Sequence, residues 1–133
     1  MMANTAKKIL IIEDDKFLMK LYSDKLRREG FDVAMSITGE EGLLRAPSYE
    51  PDLIFLDIVL PRENGFDVLS KLKLDPATKH IPVIILTNLG REKDVKTGIE
   101  LGAADYLIKT DFSITKLGEV ARKHLVNKQR RKT

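Results

Sequence analysis

At 133 residues the chain has the length of one domain, for which about 100 to 200 residues is usual, so a second catalytic or DNA-binding domain is not expected in it. Apolar residues make up 43% and charged residues 32%, which fits a soluble globular fold and excludes a mainly disordered chain. The absence of Cys excludes disulfide frameworks, thiolate zinc sites and cysteine nucleophiles, and two His are too few for most His-built metal centres.

The formal net charge is +3, yet Arg122, Lys123, Lys128, Arg130, Arg131 and Lys132 all follow the last acid, Glu119, so the body of the chain is net acidic. Cations near a helix C-terminus complement its dipole, and the basic end reads as a solvated tail, not as a nucleic-acid or membrane contact. Residues 1–127 are expected to form one domain and residues 128–133 a basic tail. Apolar runs such as residues 9–12 and 53–56 fall far short of the roughly 18 residues of a membrane-spanning helix. Residues 1–8 lack the apolar stretch of a secretory leader, so a cytoplasmic location is expected.

Five apolar runs of strand length occur in chain order, at residues 8–12, 31–36, 52–56, 81–86 and 105–108. After the first, Asp15 can cap a helix whose apolar face is Phe17, Leu18, Leu21 and Leu26 and which Gly30 closes. After the second, Thr38 with Glu41 reads as a capping box. The fourth helix, residues 92–101, has only Val95, Ile99 and Leu101 as apolar anchors, is interrupted by Gly98, and ends at Gly102. It is expected to be the most mobile. Ser113 can cap the last helix, which buries Ile114, Leu117, Ala121 and Leu125.

Strand and helix thus alternate five times, which implies a doubly wound α/β fold of type (βα)5, its parallel sheet covered by helices on both faces. Runs one, three and four are almost continuously apolar and read as central, whereas run two carries Asp32 and Ser36 and run five Asp105 and Tyr106, so these two are the edges. Strand order 2-1-3-4-5 satisfies this and is flavodoxin-like, with a topological switch point between strands one and three.

Ligands of such sheets bind beyond the C-terminal strand ends at the switch point. There stand Glu13, Asp14 and Asp15 after strand one, Asp57 after strand three, Thr87 after strand four and Lys109 after strand five. At an effective dielectric near 20, two carboxylates ~4 Å apart repel by about 4 kcal/mol, so the cluster of Glu13, Asp14 and Asp57 calls for counter-charge. Lys109 supplies one positive charge and a divalent cation two, with Mg²⁺ the best fit to carboxylates beside a phosphate. No Ser, Cys or His stands beside a base, so a hydrolytic triad is unsupported. A carboxylate, a metal, a hydroxyl and an ammonium are the parts needed to accept and hold a phosphoryl group, with Asp57 attacking in line.

The segments ILIIEDD (Glu13, Asp14), PDLIFLDIVLP (Asp57), PVIILTN (Thr87) and ADYLIK (Tyr106, Lys109) stand in this order at four strand ends. In this the chain resembles the response-regulator receiver domains of two-component signalling, over residues 8 to about 125. The resemblance implies that Asp57 takes a phosphoryl group from a phosphohistidine of a sensor histidine kinase or histidine phosphotransfer protein. It implies Mg²⁺ bound by Asp14, Asp57 and the backbone carbonyl of Val59, with Glu13 acting through water. Thr87 would move toward the phosphoryl group and the Tyr106 ring would turn inward behind it. This would alter the face of the fourth helix, fifth strand and fifth helix, where a downstream effector or output domain docks. Such a protein is a signalling phosphoacceptor and no enzyme beyond its own phosphorylation and dephosphorylation.

Three positions depart from the pattern. Thr110 follows Lys109 where Pro is usual, Asn88 follows Thr87 where a small residue is usual, and Val59 and Leu89 put apolar side chains beside the phosphoryl position. The last pair leads to the expectation of slow self-dephosphorylation. A flavin protein would want a Gly- or hydroxyl-rich loop after strand one, and an aspartate-dependent phosphatase a nucleophilic Asp with a second acid two residues on; neither is present. A receiver-like interaction module that takes no phosphate is the remaining alternative, disfavoured because every required side chain is there. His80 and His124 read as surface or packing residues.

Overall fold

All five apolar runs become strands of one parallel sheet. The computed structural model describes residues 6–132, with side chains described through Leu125. The sheet strands are β1 (Lys8–Ile12), β2 (Asp32–Ser36), β3 (Leu53–Leu56), β6 (Val83–Thr87) and β7 (Asp105–Ile108). A short antiparallel hairpin, β4 (Val59–Leu60) with β5 (Glu63–Asn64), follows β3. The helices are α1 (Lys16–Arg28), α2 (Gly39–Tyr49), α3 (Gly65–Leu74), α4 (Glu92–Glu100) and α5 (Leu117–Lys132).

The sheet order is β2-β1-β3-β6-β7, which is 2-1-3-4-5 once the hairpin strands are left out of the count. Its edges are therefore the two runs that carry polar residues, while β3 and β6 are buried at every position. Alternate side chains go to opposite faces, as the pleat dictates. Leu10, Ile12, Ile54, Leu56, Val83 and Ile85 pack with Ala46 of α2 and Val68, Leu69 and Leu72 of α3. Ile9, Ile11, Leu53, Phe55, Ile84 and Leu86 pack with Met19, Tyr22 and Leu26 of α1 and Leu117, Ala121 and Leu125 of α5. The register pairs Ile12 with Leu56, Leu56 with Ile85, and Thr87 with Ile108, so the strand ends finish along one edge.

Asp15 caps α1 by accepting the Leu18 amide at 3.0 Å. Gly30 and Gly102 take φ of +95° and +107°, the left-handed turns that let the chain leave α1 and α4. Two local readings differ. The buried stripe of α1 is Met19, Tyr22, Ser23 and Leu26, while Phe17 and Leu21 are exposed, because Asp15 fixes the entry angle and Ser23 satisfies itself on the Met19 carbonyl at 2.7 Å. Ser113 caps a single 3₁₀ turn, Ile114–Lys116, and α5 starts after it. The helix runs to Lys132. No helix among the described residues is long and apolar enough to cross a membrane.

Candidate functional site

Because parallel strands end together, β1, β3, β6 and β7 deliver their following residues to one place. Glu13 is pinned by its amide on the Ser36 carbonyl at 3.0 Å, and Asp57 by its amide on the Ile12 carbonyl at 3.0 Å. The strand ladder therefore fixes the separation of the two carboxylates before any side chain is considered. Lys109, leaving β7, reaches both: its Nζ lies 2.6 Å from Glu13 Oε1 and 2.7 Å from Asp57 Oδ2. All three side chains are close to fully buried, at 10% exposure or less. The Lys109–Thr110 bond is trans, since the described backbone has no cis peptide.

The remaining acceptors are also used. Glu13 Oε2 takes the Asp15 amide at 3.0 Å, and Asp57 Oδ1 takes the Val59 amide at 3.0 Å. Asp14 lies nearer solvent, and ligand oxygens of Glu13, Asp14 and Asp57 fall within 4.8 Å of one another. Three carboxylates against one ammonium leave the group net negative, and every donor atom is a hard oxygen. The residues present fit a small divalent cation such as Mg²⁺.

Burial holds the Glu13 carboxyl above its usual range, an effect that outweighs the hydrogen bond from Lys109 and to which the charge of Asp57 adds. Burial by itself would lower Lys109, but hydrogen bonds and charge from Asp57 and Glu13 prevail and push it up to about 12. The ammonium is therefore permanent at neutral pH.

Thr87, at the end of β6, is wholly buried, and its Oγ1 accepts the Leu89 amide at 3.4 Å. The hydroxyl proton is left for another acceptor. Tyr106 is half-buried, its phenol donating to the Leu89 carbonyl, and its ring lies where a side chain on Gly98 of α4 would collide with it. Val59 is 57% exposed, whereas Leu89 packs against the core on the α3 side. Of the two apolar residues expected to border the site, Val59 is the more exposed and Leu89 the more buried. Asn88 is exposed and lines, with Leu21, Tyr22, Lys109 and Phe112, a groove of about 390 Å³ beside the site.

Sequence reasoning did not single out Tyr22, Glu63 or the His124 pairing. Tyr22 sits under the site on α1, and burial raises its phenol; its spacing from Met19 and Leu26 was the available signal. His124 Nε2 lies 3.0 Å from Asp105 Oδ2 and ties α5 to the edge strand. Glu63 binds α2 across a separation of 24 residues, which no local pattern announces.

A family profile, "Response regulator receiver domain", matches residues 9–122. The chain is 43% identical over 102 residues to the "DNA-binding dual master transcriptional regulator RpaA" of Synechocystis, a match covering 77% of this chain and 42% of that protein. It spans less than half the length of the curated relatives it matches. A CheY-like response regulator receiver domain from Methanospirillum hungatei superposes with a TM-score of 0.86 at 26% identity, covering 96% of this chain and 99% of that one. The Mn²⁺-bound form of response regulator Rcp1 superposes with a TM-score of 0.78 at 29% identity, covering 90% and 94%. With the family profile matched over residues 9–122 and the fold matched in space, the chain belongs to the response regulator receiver domains of two-component systems, which are signalling proteins and not classical enzymes.

Proposed function

We propose that the protein is a phosphoacceptor receiver: Asp57 takes a phosphoryl group from a phosphohistidine of a sensor histidine kinase or histidine phosphotransfer protein, in the cytoplasm and with Mg²⁺. The observation that carries this is the Asp57 carboxylate, buried at a strand end, with Lys109 Nζ at 2.7 Å and Thr87 at the neighbouring strand end. A structural ion pair needs one acid, not a convergence of three with an unused hydroxyl donor.

In the step proposed, an Asp57 carboxylate oxygen forms a bond to phosphorus as the bond from phosphorus to the histidine nitrogen breaks, and the imidazole leaves with the electron pair and takes up a proton. Lys109 holds one oxygen of the transferred group, and Thr87 donates its hydroxyl to another. Asp14, Asp57 and the Val59 carbonyl would hold Mg²⁺, with Glu13 acting through water, and the bound ion would neutralise charge on the phosphoryl oxygens. That the related Rcp1 has been crystallised with Mn²⁺ supports an ion of this class.

Thr87 and Tyr106 are the switch: the Tyr106 phenol already rests on the Leu89 carbonyl, two residues beyond Thr87, so a pull on Thr87 reaches the α4–β7–α5 face. A downstream effector or output domain would dock there. The test is intact mass after incubation with Mg²⁺ and a small phosphodonor. One phosphoryl group is expected on the wild type and none on Asp57→Ala; a phosphorylated Asp57→Ala protein would overturn the assignment.

A further inference from the structure

We propose that Glu63 is a positioning residue of this site: docked on α2, its carboxylate holds the β4–β5 hairpin so that Val59 keeps its place against Asp57. The proposal rests on the reading of Asp57 as acceptor and of the Val59 carbonyl as a metal ligand.

The hairpin begins two residues after Asp57, and its first residue already touches the acceptor through the Val59 amide on Asp57 Oδ1. With two residues per strand it cannot hold its own shape, since even full hairpins are marginal in water. Its base is fixed by the Gly65 amide on the Ile58 carbonyl at 2.9 Å, where a side chain on Gly65 would fall 2.3 Å from Ile58 Cα. The turn is less secure: Pro61 and Arg62 are exposed, and Arg62 takes φ of +60°.

Glu63 supplies the second anchor. Its Oε2 accepts the Gly39 amide and its Oε1 the Glu40 amide, each at 2.8 Å, so both oxygens bind the first turn of α2. Such bonds to an ionised acceptor are about twice as strong as neutral ones, and the helix dipole adds to them. The place is cut for the group: a Cβ on Gly39 would lie 2.9 Å from Glu63 Oε1 and 2.5 Å from Val68 Cγ2. Thr38 Oγ1 serves the Glu41 amide, and Glu41 itself faces Arg45 at 3.8 Å, so Glu63 satisfies the two first-turn amides, of Gly39 and Glu40, that the Thr38 cap does not reach. Glu63 neighbours Asn64, whose cross-strand partner is Val59, so slack at the anchor passes to the Val59 carbonyl through one residue.

The experiment compares wild type, Glu63→Leu and Glu63→Gln for Mg²⁺ affinity by calorimetry, amide hydrogen exchange, and the Mg²⁺ dependence of phosphorylation by a small phosphodonor. Glu40→Gln controls for loss of charge. Partners that orient metal ligands act on a scale of about 10- to 100-fold in affinity, and the low end of that range is expected for Glu63→Leu. Glu63→Gln, which keeps one acceptor oxygen, should fall between, with the phosphorylation rate at saturating Mg²⁺ close to wild type. Exchange should quicken at residues 39, 40, 59, 60 and 62–64 together. Wild-type Mg²⁺ affinity in both variants, with protection lost only at residues 39 and 40, would overturn the proposal and leave Glu63 a helix cap. A wild type that neither binds Mg²⁺ nor is phosphorylated would overturn the underlying reading as well, and is seen before any variant is made.

Discussion

With its ammonium 2.6 Å from Glu13 and 2.7 Å from Asp57, Lys109 balances one carboxylate of three, so the pocket keeps a net negative charge. Mg²⁺ at 100 times its Kd should raise stability by about 2.7 kcal/mol. Thermal melts in millimolar Mg²⁺ and in chelator check this, and equal midpoints would refute the ion. Asp57→Asn should melt higher than wild type in chelator and lose the response to Mg²⁺. At the rim, Val59 leaves no polar group to hold a water in line with the aspartyl phosphate, so self-dephosphorylation should be slow; each tenfold slowing corresponds to about 1.4 kcal/mol of barrier. Val59→Asn should shorten the phosphoryl half-life, measured by loss of the added mass. Leu89→Glu added to Val59→Asn should shorten it further.

At the level of elements, α4 has no side-chain cap and buries only Asp94 and Gly98, with Ile99 half-exposed. Low apolar burial means low local stability, so amide exchange should be fastest in α4 among the five helices; protection equal to α1 would contradict this. The same comparison marks what the sequence made legible. β1, β3 and β6 were plain because burial on both faces demands unbroken Ile, Leu and Val, and Gly30 and Gly102 because only a left-handed residue ends those helices so sharply. The site was legible through Glu13, Asp57, Thr87 and Lys109 because parallel strands bring their ends to one edge. The facing of α1 was not, since Phe17 and Leu21 share the helical spacing of the buried Met19 and Tyr22, and only the tertiary fit separates the two stripes. Nor was the hairpin, whose two-residue strands are too short for a period.

For the whole molecule, the folded state raises all three tyrosines. Burial lifts Tyr106 to about 12, helped by the charges of Asp94 and Asp57, and burial and the hydrogen bond to Asp32 lift Tyr49; Tyr22 moves the same way by burial. An unfolded chain gives up these protons from about pH 10, where the native one keeps them, so this contribution is complete below pH 10 and shrinks as pH rises toward 12. Tyrosinate absorbance should therefore lag in the native protein and appear together with unfolding, and denaturant midpoints should fall between about pH 10 and 12. The ion pairs at the site have a different reach: Lys109 meets Asp57 across 52 residues and Glu13 across 96. During synthesis, a chain that has emerged only as far as Leu101 owns every acid of the pocket and Thr87 but neither β7 nor its lysine. Phosphodonor presented to such a ribosome-bound fragment should leave it unlabelled, so competence to receive the signal is itself a report that translation of the domain is nearly complete.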